Sequence, residues 1–168
     1  YNNRLLRRFD LTTRAVTTLA GSSSAGNTDG VGTNAKFYRP ISVTATADAQ
    51  TIFVADNDGH RVRVVMLWPE GPRVTTFAGS SGGSADGIGT NAQFYRPRGI
   101  ALTLDGATLY VSEHEGRVRQ IDVASRKVMQ LAGQNTRGYM DGVGSNARFG
   151  YLYKVALCGS VLLVADEG

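Results

Sequence analysis

Short runs of β-branched and apolar residues recur along this chain at a nearly constant interval. Leu6-Arg-Arg-Phe-Asp10, Val62-Arg-Val-Val-Met66 and Val118-Arg-Gln-Ile-Asp122 stand 56 residues apart. Val16 to Gly21, Val74 to Gly79 and Val128 to Gly133 form a second set, each ending in Ala-Gly. Ile41 to Thr46, Gly99 to Thr103 and Val155 to Cys158 form a third, and Thr51 to Asp56, Thr108 to Glu113 and Val161 to Asp166 a fourth. Each run alternates or nearly alternates over a few residues and is bounded by Gly, Asp, Asn or Ser, which predicts strands. No 3.6-residue apolar pattern is long enough for a crossover helix, so parallel βαβ construction is excluded.

The connections say how those strands pair. Ala47 to Gln50, Leu104 to Ala107 and Gly159-Ser160 join the third set to the fourth, and the Gly-Ser link predicts a two-residue hairpin with glycine at positive φ. Leu11 to Ala15 and Val123 to Lys127 join the first set to the second, and the middle unit inserts Trp68-Pro-Glu-Gly-Pro72 there. Links this short join antiparallel neighbours, so the units read as four-stranded meanders. Between meanders runs a glycine-rich connector, Asp29 to Pro40, Asp86 to Pro97 and, degraded, Asp141 to Leu152. Its Gly-x-Gly-x-x-Ala spacing matches a dinucleotide fingerprint, but that motif needs a long helix after it, and here a strand follows. The connector therefore belongs to a repeat architecture. Asp29, Asp86 and Asp141 are expected to accept hydrogen bonds from neighbouring loop amides, and Phe37, Phe94 and Phe149 to fill the space between units.

Twisted antiparallel meanders joined by long loops build a β-propeller. The Asp-Gly-x-Gly-x-x-Ala-x-Phe-x-x-Pro connectors, the strands Phe53 to Asp56 and Leu163 to Asp166, and the Arg-Val-Arg of Arg61 to Arg63 and Arg117 to Arg119 resemble those of the NHL-repeat β-propellers. The resemblance implies an all-β fold over residues 1–168, with repeats at approximately 1–57, 58–113 and 114–168. It treats the acidic residue that ends each fourth-set strand as framework. The third repeat departs from the pattern: Tyr-Arg-Pro becomes Gly150-Tyr-Leu152, and Lys154 stands where the second repeat has Gly99. The residues amount to about three blades' worth, with half-blades at either end. Propellers use about four to eight blades, so this is expected to be part of a six-bladed ring, completed by flanking sequence of a larger parent or by a second copy in a homodimer.

Composition narrows the chemistry. The 168 residues include 21 Gly, and 19% are charged, which suits short strands and tight turns. The single cysteine, Cys158, sits between Leu157 and Gly159 and is expected to be a small buried hydrophobe; no intrachain disulfide can form. No run of 18 apolar residues occurs, so no helical membrane span is expected. No signal-peptide pattern is visible, and a leader, if there is one, lies upstream of Tyr1. The net charge of +4 comes mostly from arginine, a planar bidentate donor suited to phosphates, carboxylates and aromatic faces.

Topology assigns a functional face. In an up-and-down meander the second-to-third turn and the long connector emerge on one side. That side carries Tyr38, Arg39, His60, Tyr95, Arg96, Arg98, His114, Tyr151 and Lys154. Arginine interleaved with aromatic residues suits protein hot spots and single-stranded RNA. His60 and His114 lie in corresponding turns beside Asp56, Asp58, Glu113, Glu115, Asp166 and Glu167, an arrangement that by fold analogy suggests metal-dependent six-bladed lyases or lactonases. No Gly-x-Ser-x-Gly or His-Glu-x-x-His element accompanies them. The leading expectation is a non-enzymatic scaffold without cofactor that binds a protein or peptide, with RNA binding and the metal-dependent enzyme as alternatives.

Overall fold

The computed structural model describes residues 3–167. Two sheets are complete. One orders β3 (Gly30–Val31), β7 (Gly71–Ala78), β6 (Arg61–Trp68), β5 (Thr51–Asp56) and β4 (Pro40–Ala45) from rim to centre. The other orders β8 (Gly87–Ile88), β12 (Lys127–Gly133), β11 (Arg117–Asp122), β10 (Thr108–Glu113) and β9 (Pro97–Leu102). On either side stands a hairpin, β1 (Leu6–Phe9) with β2 (Val16–Ala20), and β13 (Tyr151–Cys158) with β14 (Val161–Glu167). All pairings between these strands are antiparallel. Strand β9 packs against both β4 and β13. The sheets therefore stand like slices, with their first strands inward.

Packing explains why several strands are apolar almost throughout rather than strictly alternating. In the first complete sheet Val54, Val65 and Val74 face the β1–β2 hairpin with Ala20, Ala35 and Phe37, while Phe53, Val64 and Phe77 face the next sheet. Both faces of a middle blade are buried, so both registers of the pleat must be apolar. Phe94 sits fully buried between the two complete sheets, and Phe37 between the first sheet and its hairpin. Burying each such ring contributes about 2–3 kcal/mol.

Three local results differ from expectation. The connectors contribute short strands, β3 and β8, that add to the rim of the following sheet, so each complete sheet has five strands. Two residues carry no periodicity from which such a strand can be recognised. The Trp68 insertion lengthens its strands: Trp68 pairs with Gly71 and Leu67 with Pro72, leaving Pro69-Glu70 as the turn and Trp68 half exposed. Cys158 is exposed, at the end of β13 where the hairpin turns into β14. The Gly159-Ser160 link is the expected two-residue turn, with Gly159 at φ +60°.

Candidate functional site

A repeated lock holds the connectors against the sheets. A β-bulge falls between Val62 and Arg63, and another between Val118 and Arg119. Bulges re-aim the side chains beside them. The fully buried guanidinium of Arg63 donates to Asp29 Oδ1 at 2.7 Å and to the Lys36 and Thr28 carbonyls at 2.9 and 3.3 Å, and lies 5.4 Å from the Phe37 ring centroid. Arg119 repeats this with Asp86 at 2.6 Å, the Gln93 and Ala85 carbonyls at 2.9 and 3.3 Å, and Phe94 at 5.3 Å. The partner of Asp29 and Asp86 is thus an arginine more than 30 residues away rather than neighbouring loop amides. Asp141 lies in the equivalent connector position of the third unit, which lacks such an arginine among the described residues.

The acids at the strand ends finish the job. Asp56 accepts from the backbone N–H groups of Tyr38 and Arg39 at 3.1 and 2.6 Å, Glu113 from Tyr95 at 2.6 Å, and Asp166 from Gly150 at 3.0 Å. Glu113 also pairs with Arg117 at 2.9 Å and Arg119 at 3.4 Å. Burial pushes the Asp56 and Glu113 carboxyls up, opposed for Asp56 mainly by these backbone donors and for Glu113 mainly by its two arginines. Their hydrogen bonds are committed to holding backbone, which sets where Tyr38, Arg39, Tyr95 and Arg96 emerge.

On the exposed side the expected residues fall into separate groups. His60 Nδ1 accepts from Arg96 N–H at 3.3 Å, and its ring lies 5.8 Å from that of Tyr95. Asp58 sits 3.9 Å from both Arg39 and Arg96. His114 packs edge-on to Tyr151 at 5.0 Å, and Arg137 covers the same tyrosine ring at 3.9 Å and donates to its hydroxyl at 2.7 Å. Tyr38 faces an adjoining cleft, lined also by Arg4, Leu5, Arg39, Pro40 and Ile41. Arg39, Arg98 and Lys154 come together around a cavity of about 240 Å³, with Ile41, Asn57 and Tyr153 completing its lining. Arg98 lies 4.0 Å over the Tyr153 ring and donates to the Leu152 carbonyl at 3.4 Å, while Lys154 reaches the Ile41 carbonyl at 3.4 Å. Three cations from three successive inner strands or their leading residues thus meet at the centre, with no carboxylate among the lining residues.

The two histidines are not equivalent. The Asn57 N–H donates to the Arg39 carbonyl and the His114 N–H to the Arg96 carbonyl, so His114 occupies the place of Asn57. His60 matches Gly116 instead, both at positive φ where their turns close. Burial, then the nearby charges of Arg98, Arg137 and Arg96, lower the His114 pKa to about 4, leaving the imidazole neutral. Among the described residues, no three His, Cys, Asp or Glu side chains converge as metal ligands would. Tyr153, Asn57 and Arg137 belong to these groups and escaped the sequence reading. Tyr153 alone left a trace there, two residues along the strand from Tyr151 and hence on the same face.

Comparison with known proteins agrees with this geometry. No protein-family model matches the chain. NHL repeat-containing protein 2 of Bos taurus is 32% identical over 107 residues, 61% of this chain and 14% of that protein, so the chain spans about one seventh of the relative's length. A Bacteroides thetaiotaomicron protein of unknown function superposes with a TM-score of 0.76 at 24% identity, covering 98% of this chain and 40% of the other. A chain from a nidogen/laminin complex superposes with a TM-score of 0.57 at 14% identity over 96% of this chain and 64% of the other. Recurrent Asp-Gly-x-Gly connectors, antiparallel blades with their first strands innermost, and these likenesses together show a chain similar to NHL-repeat proteins and folded as part of a β-propeller.

Proposed function

We propose that the chain is a non-enzymatic recognition scaffold that binds an acidic protein or peptide segment through its connector face. The observation that carries this reading is the central cavity, where Arg39, Arg98 and Lys154 gather without a lining carboxylate. Asp56 and Glu113 are occupied in holding the connectors, and the partly exposed Asp58 pairs with Arg39 only at 3.9 Å, so Arg98 and Lys154, which form no ion pair among the described residues, are available to a ligand. Arg98 and Lys154 also have no counterpart in the repeat. Ile41 and Tyr153 stand at the position of Arg98, and Ser42 and Gly99 at that of Lys154, so the framework does not require either charge. Tyr153 adds planar surface to the same lining, the mixture of arginine and tyrosine favoured in protein hot spots. The nidogen/laminin chain is, by its description, a neighbour found in a protein complex.

Fluorescence anisotropy with a labelled glutamate-rich peptide tests the reading, with the glutamine version of that peptide as control. The wild-type chain should prefer the acidic peptide, and replacing Arg39, Arg98 and Lys154 together by Ala should weaken binding at least about tenfold. Equal affinity for both peptides, or no effect of the triple substitution, would refute it. A second reading, single-stranded RNA on the same face, is favoured by the exposed stacking of Arg137 on Tyr151 and Arg98 on Tyr153. An RNA oligonucleotide that outcompetes the peptide, with affinity falling steeply as salt rises, would establish RNA as the ligand.

A further inference from the structure

The chain's departures from its own repeat converge on one place. Arg98 stands where the other units carry Ile41 and Tyr153, Gly99 and Lys154 stand where the first carries Ser42, and Ser112 stands where they carry Ala55 and Ala165. Arg98 and Lys154 line the central cavity, Gly99 lies between them on β9, and Ser112 lies on β10 beside it. Departures from an otherwise consistent pattern are expected at functional sites.

Two buried polar side chains, Asn57 and Ser112, set the spacing of the cations there. The Asn57 N–H donates to the Arg39 carbonyl at 2.9 Å and its side-chain amide to the Pro97 carbonyl at 3.1 Å, which ties Arg39 to the residue before Arg98. The Ser112 hydroxyl accepts from the Gly99 N–H at 2.9 Å and donates to the Tyr153 carbonyl at 3.0 Å, which ties the residue after Arg98 to the residue before Lys154. Gly99 permits that approach, since a Cβ there would lie 2.7 Å from the Tyr153 carbonyl oxygen. The three cations are thus held on a bridged frame, and most of their donors are uncommitted. Arg98 donates to the Leu152 carbonyl and Lys154 to the Ile41 carbonyl, while Arg39 only approaches Asp58, at 3.9 Å.

We propose that this frame is a receptor for one phosphorylated side chain, phosphoserine or phosphothreonine, carried by the acidic segment; the inference rests on the protein-binding reading above. Charge and shape favour phosphate over carboxylate. Three cations with no lining carboxylate are matched better by a phosphate monoester, with a charge of about −1.5 to −2 near pH 7, than by the single charge of a glutamate. A carboxylate offers two oxygens in one plane, whereas the phosphate offers three terminal oxygens in a pyramid, one for each cation. The two guanidinium groups supply forked donors suited to those oxygens, and Lys154 supplies a point charge. A phosphodiester, as in an RNA backbone, has one charge and two free oxygens and matches the frame no better than a carboxylate.

Fluorescence anisotropy with one labelled acidic peptide in three versions, carrying serine, glutamate or phosphoserine at its central position, tests this. The wild type should bind the phosphoserine version at least about tenfold more tightly than the glutamate version. That preference should shrink as pH falls from about 7.5 to about 5.5, because phosphate takes up its second proton near pH 6 while glutamate stays ionised. Arg98→Ile and Lys154→Ser, which install the residues found at positions 41 and 42, should each reduce the preference at least about threefold. Ser112→Ala, which installs the residue of positions 55 and 165, should reduce it through the spacing alone, and unchanged circular dichroism will verify that each variant folds. Equal affinity for the phosphoserine and glutamate versions, both above serine, would overturn the phosphate inference and leave the acidic-segment reading standing; equal affinity for all three would overturn both. A preference that survives Arg98→Ile and Lys154→Ser would overturn the frame as the receptor. Displacement of the phosphopeptide by equimolar inorganic phosphate, or by a 5′-phosphorylated RNA oligonucleotide, would overturn a peptide as the source of the group.

Discussion

Replacing Arg63 by Ala is the sharpest probe of what joins connector to blade. The guanidinium is fully buried and donates to Asp29, Lys36 and Thr28 at 2.7, 2.9 and 3.3 Å, with the buried carboxylate of Asp56 at 3.9 Å. Truncation strands two carbonyls and leaves Asp56 with its backbone donors alone, whereas the Asp29 side chain, 51% exposed, regains water. Breaking a buried pair costs about 3–5 kcal/mol, and the rehydration of Asp29 puts this case near the lower end, about 3 kcal/mol. That is a large part of the roughly 5–15 kcal/mol that keeps a domain folded. Urea unfolding followed by circular dichroism should show the midpoint falling by about 1.5–2 M, given a slope near 1.5–2 kcal/mol per molar for a chain of this size. Asp29→Asn should cost only about 1 kcal/mol, and Arg63→Met, which keeps the packing over Phe37, should fall between the two. A loss below about 1 kcal/mol for Arg63→Ala would refute the account, since the lock would then be an accessory to packing and not a joint.

Other consequences can be measured on the same protein. Phe94→Ala empties a fully buried site between the two complete sheets and should cost about 3–5 kcal/mol by urea unfolding. The His114 pKa is lowered from 6.5 to about 4, so between those pH values the unfolded chain holds a proton that the folded chain lacks. Stability should therefore fall as pH drops through that window and be level above it; after allowance for solvent screening the change is about 1 kcal/mol. His114→Asn, which installs the residue found at the matching position 57, should remove that dependence in unfolding curves taken at pH 4 to 7. Cys158 is exposed, so a thiol reagent should label it fully under native conditions, and protection until denaturant is added would contradict its placement at a hairpin tip.

Strand order and repeat period were legible in the sequence because antiparallel strands joined by two to five residues pair with their neighbours. The runs at Val62, Val74, Ile41 and Thr51 define a blade before any coordinates are known. The resemblance carried by Asp29, Phe37 and Pro40 and their repeats extended this to a propeller. Positions within the candidate site were less legible. Tyr38 and Lys154 are expected on one face; they line adjoining clefts that share Arg39 and Ile41, a division that depends on where Asp56 and Glu113 fix the turn of each connector. His60 and His114 looked like a matched pair until backbone hydrogen bonds showed Asn57 to be the counterpart of His114.

Local sequence by itself determined which segments extend, where they turn and that the unit repeats, since these depend on residues a few positions apart. Tertiary structure alone decided the partners of distant polar groups: that Arg63 reaches back 34 residues to Asp29, and that Arg39, Arg98 and Lys154 share one cavity. The physical reason is that a hydrogen bond or ion pair is set by distances in space. Those distances exist only once the blades have packed against one another and buried the faces between them.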